Sequence, residues 1–246
     1  MSQPAIDIAI REKRFGDRVA VRDVAFTVDR GEIVSLVGPS GCGKSTLLRV
    51  IAGLDRDFRG EVQVLGQPPR LHAKDVGFVF QEPRLLPWLT VAQNVGFEAG
   101  KRAAKDARVA GLLAEVGLGD YVNAWPKQLS GGMAQRAAIA RALYSQPSVL
   151  LLDEPFSAVD PFTRMKLQDL LLAVAERRKA TVLVVTHDIG EAVYLADRVL
   201  ALSPGPGRLS GETRVERAGP RDRHDPELAR LQSQVLALLE HPAQAA

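Results

Sequence analysis

Hydrophobic and polar positions alternate along the first thirty or so residues, through "DIAIREKRF" and then "VAFTVDRGEIVSLVG", with Gly31 at a turn. This period of two predicts antiparallel strands that lead into a short apolar strand carrying Val34, Leu36 and Val37. The chain then turns through Gly38, Gly41 and Gly43 and resumes with Leu47, Leu48, Val50, Ile51 and Leu54 at helical spacing. "EVQVLG" at 61–66 predicts another short strand, and "DVGFVFQ" at 75–81 one that runs up to Gln81. From Glu82 to Pro147 the pattern turns helical, with Val109, Leu112, Leu113 and Val116 at i, i+3, i+4 and i+7. Two apolar strands follow, "SVLLLDE" and "TVLVVTHD", separated by a helix containing Met165, Leu167, Leu170 and Leu171. The turn-rich "LSPGPGR" at 202–208 precedes a last helix with Leu228, Leu231, Val235 and Leu238, and "HPAQAA" is expected to fray.

Continuous apolar strands alternating with helices imply a parallel sheet covered on both faces, an α/β core. The helical stretch is then an insertion into that core. The expected division of one domain over 1–246 is an α/β core with a β subdomain over 1–81 and 148–210. A helical insertion covers 82–147, and a tail with one helix covers 211–246.

Composition changes this picture little. With 46% hydrophobic and 25% charged residues and a net charge of +3, the chain reads as an ordinary globular protein. "REKR" at 11–14 and "RDR" at 221–223 read as solvated faces, and no nucleic-acid partner is expected. Apolar runs such as "VLLL" at 149–152 fall far short of the roughly 20 residues that cross a bilayer. No basic-then-apolar leader stands at the N-terminus, so the chain is expected to stay in the cytoplasm and to meet a membrane through a partner. Cys42 is the only cysteine, which leaves no intrachain disulfide or zinc hook.

The glycine-rich turn carries the chemistry. Gly38-Pro39-Ser40-Gly41-Cys42-Gly43-Lys44-Ser45 fits GxxxxGK[ST] without a mismatch, between a strand and a helix. Glycines let backbone N–H groups turn inward on one small volume, and the helix start adds unpaired N–H groups and a positive dipole end. Polyphosphate is the natural occupant, with Lys44 reaching the β- and γ-phosphates and the Ser45 hydroxyl ligating Mg²⁺. Asp153 and Glu154 end the strand "VLLLDE". Paired acids often simply end a strand. Beside a phosphate loop, Asp153 can hold Mg²⁺ through water and Glu154 can polarise a water for in-line attack. The two motifs together predict a site that hydrolyses a nucleoside triphosphate with Mg²⁺.

"LSGGMAQRAAIARAL" opens a second glycine turn: Leu129, Ser130, Gly131, Gly132 and Met133 begin a helix rich in alanine. Here the chain resembles the ATP-binding cassette family, from Phe15 to about Arg208, and "LSGGM" looks like that family's signature. The resemblance implies a P-loop NTPase (RecA-like) core with an antiparallel β subdomain and an inserted helical subdomain. It implies that Phe15 stacks on adenine, that Thr46 belongs with the ATP-binding loop, and that Gln81 contacts Mg²⁺ and the attacking water. Asp160 would end the loop "SAVD" that signals across a dimer, and His187 in "VVTHD" would hold the γ-phosphate. Met133 stands where many members have glutamine, and Val159 where leucine is commoner; the Met133 departure leaves the backbone N–H groups and Ser130 intact and is expected to be silent for catalysis.

The same resemblance implies a homodimer in which the signature of one chain covers the ATP of the other. It also implies integral membrane permease subunits, an extracytoplasmic (in some systems periplasmic) substrate-binding protein, and a place at the cytoplasmic face of a bacterial inner membrane. "VFQEPRLLPWLTVAQNVGF" at 79–97 and "LSPGPGR" resemble the ATPase subunits of importers for aliphatic sulfonates, taurine and nitrate. No regulatory domain of about a hundred residues follows, unlike the longer sugar-importer ATPases. Leu85, Leu86 and Trp88 offer apolar anchors for a partner helix; the alternative is Trp88 buried in its own subdomain. A soluble cassette ATPase of DNA repair or translation is the alternative class, and the long coiled coil, cysteine hook or second cassette usual there is missing from this sequence.

Overall fold

A computed structural model of the protein describes residues 3–71, 73–157, 159–216 and 221–240. The expected frayed end, "HPAQAA", lies outside these residues, as does Ala158 of "SAVD". In chain order, β1 (Ile6–Phe15), β2 (Arg18–Val28) and β3 (Ile33–Val37) precede α1 (Lys44–Ile51), β4 (Arg59–Val64) and β5 (Val76–Val79). Helices α2 (Val91–Val95), α3 (Ala107–Glu115) and α4 (Gly131–Leu143) follow, joined by 3₁₀ turns, and lead to β6 (Val149–Asp153). Then come α5 (Pro161–Arg178), β7 (Thr181–Thr186), α6 (Ile189–Leu195), β8 (Arg198–Leu202), β9 (Leu209–Arg214) and α7 (Pro226–Glu240).

The chain divides into two compact units, one of Met1–Ala73 with Lys179–Ala246 and one of Lys74–Arg178. In the first, β2-β1-β4 form an antiparallel sheet whose inner face is Ile6, Ile8 and Ile10 of β1, opposite Val28, Phe26 and Val24 of β2. The same unit holds β3 between β7 and β8, all parallel, with β9 antiparallel on β8. Every residue of β3 and of β7 is buried, the pattern of strands covered on both faces. Ala192, Val193 and Ala196 of the α6 region pack with Leu231 and Val235 of α7 over Val37, Val199 and Ala201. β9 is a strand that the hydrophobic pattern does not mark, because "LSGETR" is half polar and pairs only along one edge.

In the second unit β5 and β6 pair in parallel, Val76 beside Val149 through Val79 beside Leu152. Helices α2, α3 and α4 carry side-chain N-caps: Thr90 with Gln93 on α2, Asp106 on α3 and Ser130 on α4. Val109, Leu112, Leu113 and Val116 are buried together, as their spacing requires. α5 turns Leu167 and Leu171 inward, whereas Met165 lies on its outer face. Trp88 is 67% exposed, so burial within its own subdomain is not what it does.

Two charged runs differ from their expected solvation. Lys13 of "REKR" is buried and paired with Asp55 at 2.8 Å. The pairing of β1 with β4 shifts register between Ile10 and Glu12, and this bulge reverses the alternation, so that position 13 faces inward. Arg221 of "RDR" is also tied down, donating to the carbonyls of Tyr194 and Ala196 and to Asp197 at 2.8 Å.

Candidate nucleotide-binding site

The turn after β3 is shaped by contacts that leave no room for side chains. A Cβ on Gly38 would stand 2.8 Å from Cys42 Sγ and 2.9 Å from the Leu202 carbonyl oxygen. Gly41 and Gly43 adopt φ of +77° and +99°, the left-handed region that glycine enters freely. Gly43 is the N-cap of α1, and no side chain caps that helix or places an acid in its first turn. The helix start thus brings no acid of its own to its positive end, with Pro39, Ser40 and Gly41 on the surface ahead of it and Ser45 and Thr46 half-buried in its first turn.

Lys44 is buried and folds back over this loop. Its Nζ donates to the carbonyls of Gly38 at 2.7 Å and Pro39 at 3.0 Å, so its partners are neutral acceptors. An ammonium held by carbonyls inside a loop with an uncapped helix start suits a polyanion. Cys42 is buried within the loop, and burial pushes its thiol above the ordinary pKa, which keeps it neutral.

The register of the strands brings His187 to the same end of the sheet. Val37 lies beside Thr186 in parallel strands, so Gly38 and His187 leave neighbouring strands at equivalent positions. His187 is exposed, and the turn that carries it is fixed on its far side. Thr186 Oγ1 accepts from the Asp188 N–H at 3.1 Å, and Asp188 caps α6 by accepting from the Glu191 N–H at 3.0 Å. Phe15, at the end of β1, keeps 51% of its surface exposed. Lys13 Nζ sits 4.5 Å from the Phe15 ring centroid while bonded to Asp55 and to the Asp57 carbonyl at 2.6 Å.

In the second unit, Gln81 and Glu154 each lie two residues beyond the paired Val79 and Leu152. That equivalence brings them together: Gln81 Nε2 donates to Glu154 Oε2 at 3.4 Å. Asp153 closes β6 and is buried. Glu154 turns off the strand at φ +44°, a conformation costly for a residue with a Cβ, and Ser157 Oγ donates to its carbonyl at 3.1 Å.

Ser130 caps α4, its Oγ accepting from the Met133 N–H at 3.3 Å. Leu129 is half-buried ahead of it, and Gly131 is exposed. Gly132 allows a close approach, since a Cβ there would stand 2.6 Å from Thr163 Cγ2 and 3.4 Å from Val159 Cγ1. Asp160 accepts from the Thr163 N–H at 3.1 Å, and its hydrogen bonds to Thr163 hold its carboxyl below the usual range. At the other end of α4, Arg141 donates to the carbonyls of Pro83 and Arg84, both at 2.8 Å. Arg141 thus ties the segment after Gln81 to the helix that Ser130 begins, a link the helical pattern of the sequence does not mark.

The ABC transporter family model matches residues 21–157. The chain is 58% identical over 233 residues to the aliphatic sulfonates import ATP-binding protein SsuB 2 of Burkholderia lata, covering 95% of this chain and 85% of that one. It is 56% identical over 241 residues to the SsuB 1 protein of Pseudomonas syringae pv. syringae, covering 98% of each chain. Among solved structures, the dimeric post-hydrolysis state of the ATP-binding cassette MJ0796 bound to ADP and Pi superposes with a TM-score of 0.75. Sequence identity there is 33%, over 86% of this chain and 99% of that one. Family model, relatives and fold agree on a chain that holds a glycine-rich loop, a strand-end acid pair and a second glycine-led helix: it belongs to the ABC transporter family, as one of its ATP-binding cassettes.

Proposed function

We propose that this chain hydrolyses ATP to drive a bacterial importer of small anions, with aliphatic sulfonates as its cargo. One observation supports that cargo: relatives named as aliphatic sulfonate import proteins match at 58% and 56% identity, over 95% and 98% of the chain. The cassette reads its substrate as ATP whatever the importer carries, so the cargo comes from kinship and the chemistry from the residues.

In this reading Gly38, Pro39, Ser40, Gly41, Cys42, Gly43, Lys44, Ser45 and Thr46 take the phosphates on backbone N–H groups, with Lys44 leaving its carbonyl partners to balance their charge. Phe15 offers its exposed ring to adenine. Glu154 accepts the proton of the attacking water, and Gln81, already bonded to Glu154, orients both. His187 holds the γ-phosphate. Ser45, Gln81 and Asp153 would hold Mg²⁺: a hydroxyl, an amide oxygen and a buried carboxylate suit that hard cation. The ion supplies charge neutralisation on the transferred phosphoryl group.

Leu129, Ser130, Gly131, Gly132 and Met133 face the nucleotide of a second copy, and Asp160 lies at the contact between copies; the MJ0796 neighbour is itself dimeric. Beyond the homodimer, the partners are permease subunits and an extracytoplasmic binding protein, at the cytoplasmic face of the inner membrane. No helix among the described residues is long and apolar enough to cross a membrane. Exposed Trp88, together with a cleft of about 310 Å³ lined by Leu86, Val95, Phe97 and Tyr144, is the docking face for the permease in this reading.

The test is growth. The chain, expressed with its neighbouring permease and binding protein in a host lacking its own sulfonate importer, should restore growth on an alkanesulfonate as sole sulfur source, and a Glu154→Gln version should not. Rescue on taurine or nitrate alone would reassign the cargo, and rescue by the Glu154→Gln version would remove ATP hydrolysis from the role.

A further inference from the structure

The "LSPGPGR" segment plays no part in the reading above, yet it lies against the back of the phosphate loop. Gly207 pairs in parallel with Val21 along the outer edge of β2: its N–H donates to the Ala20 carbonyl at 3.0 Å and its carbonyl accepts from the Arg22 N–H at 3.0 Å. Ala20 is free to accept because the β1–β2 register shifts there, Lys13 facing Val21 and Arg14 facing Val19. On its other side Gly207 meets the loop itself. A Cβ on Gly207 would stand 1.9 Å from the Cys42 carbonyl oxygen, a backbone atom that cannot swing aside. Gly43 approaches the same strand, its Cβ position 2.5 Å from Val21 Cγ2 and 3.0 Å from the Ala20 oxygen. The segment is closed on itself by Ser203, whose N–H donates to the Arg208 carbonyl at 2.9 Å and whose Oγ accepts from the Arg208 N–H at 3.1 Å.

We propose that Gly207 is a positioning residue for nucleotide binding, a backbone wedge that sets the Cys42–Gly43 peptides against the hairpin carrying Phe15. The inference rests on the nucleotide site proposed above and adds to it. One glycine, 165 positions from Cys42, touches both the phosphate loop and the strand that follows the adenine-stacking ring. It thereby fixes the spacing between the two ends of the nucleotide site. Only a residue without a Cβ fits between them.

Gly205 provides the control. Its Cβ would meet nothing closer than the Gly41 carbonyl at 3.7 Å, an ordinary contact. Gly207→Ala should raise the ATP dissociation constant about tenfold or more, and Gly205→Ala should leave it within about twofold. In hydrolysis the Gly207→Ala loss should appear in KM, with kcat within about threefold once ATP saturates, a split that general destabilisation does not produce. If Gly207→Ala fails to fold, Ser203→Ala decides: it opens the segment without adding bulk, and should weaken ATP several-fold at an unchanged unfolding midpoint. Folded Gly207→Ala with parental ATP affinity overturns the proposal, as does parental affinity in Ser203→Ala where the first variant cannot fold. A parent chain that binds no ATP in the same titration overturns the nucleotide site itself, and the wedge with it.

Discussion

Gln81 and Glu154 meet at 3.4 Å, two residues beyond the paired ends of neighbouring parallel strands, with Glu154 turned off its strand at φ +44°. An amide donating to a carboxylate oxygen restrains where that carboxylate points, and a general base must be aimed at the proton it takes. The positive φ turns Glu154 off the course of the strand that ends in buried Asp153, as the separate tasks proposed for the two acids require.

Glu154→Gln keeps the shape and removes the proton acceptor. ATP affinity should stay within a few-fold, and turnover should fall by roughly 10²–10⁴, the range for losing a general base. Single-turnover hydrolysis beside a nucleotide titration measures both. More than half the parental rate would remove Glu154 from the role.

Lys44→Ala takes a buried ammonium out of the phosphate loop, where it donates to the Gly38 and Pro39 carbonyls and the Cys42 sulfur. ATP at a hundred times its dissociation constant should stabilise the parent by about 2.7 kcal/mol, and this variant by almost nothing. A thermal-shift titration with equal responses in the two proteins would show that Lys44 is no phosphate ligand.

Lys13 lies over one face of the Phe15 ring and binds Asp55, so its charge polarises the ring proposed to stack on adenine. The contact is present with and without ATP, so only the part of its energy that changes on stacking enters the affinity, and Lys13→Met should weaken ATP by about a few-fold. Inorganic tripolyphosphate, which has no base to stack, should bind parent and variant alike. An equal loss for both ligands would place the effect elsewhere than at the ring.

Asp106 caps α3 and accepts from the Tyr144 hydroxyl at 2.8 Å, and that bond holds its carboxyl below the ordinary 3.8. A depressed folded-state pKa contributes stability above the unfolded value, lost as pH falls through the folded one. The unfolding midpoint of Tyr144→Phe should therefore lie below that of the parent at pH 7, and the gap should narrow below about pH 4. Thermal melts across that range measure it, and a gap that widens in acid would contradict the assignment.

Much of this protein is legible along the chain because the deciding interactions are local. The left-handed turns at Gly41 and Gly43 and the cap at Ser130 each act within a few residues, so composition and spacing suffice to mark them. The same holds for the strand-end acids Asp153 and Glu154 and the helical stripe through Val109, Leu112, Leu113 and Val116. The tertiary structure alone decided the rest. Lys13 faces inward because a register shift against β4 reversed the alternation that would have left it outside, and no run of residues in β1 announces a bulge imposed by another strand. Arg141 finds its partners at Pro83 and Arg84, and Gly207 finds the carbonyl of Cys42; neither contact leaves a trace in local period or propensity. A side chain or a missing Cβ acquires such a meaning only when distant backbone is brought within van der Waals reach, and that approach is set by strand pairing and packing across the fold.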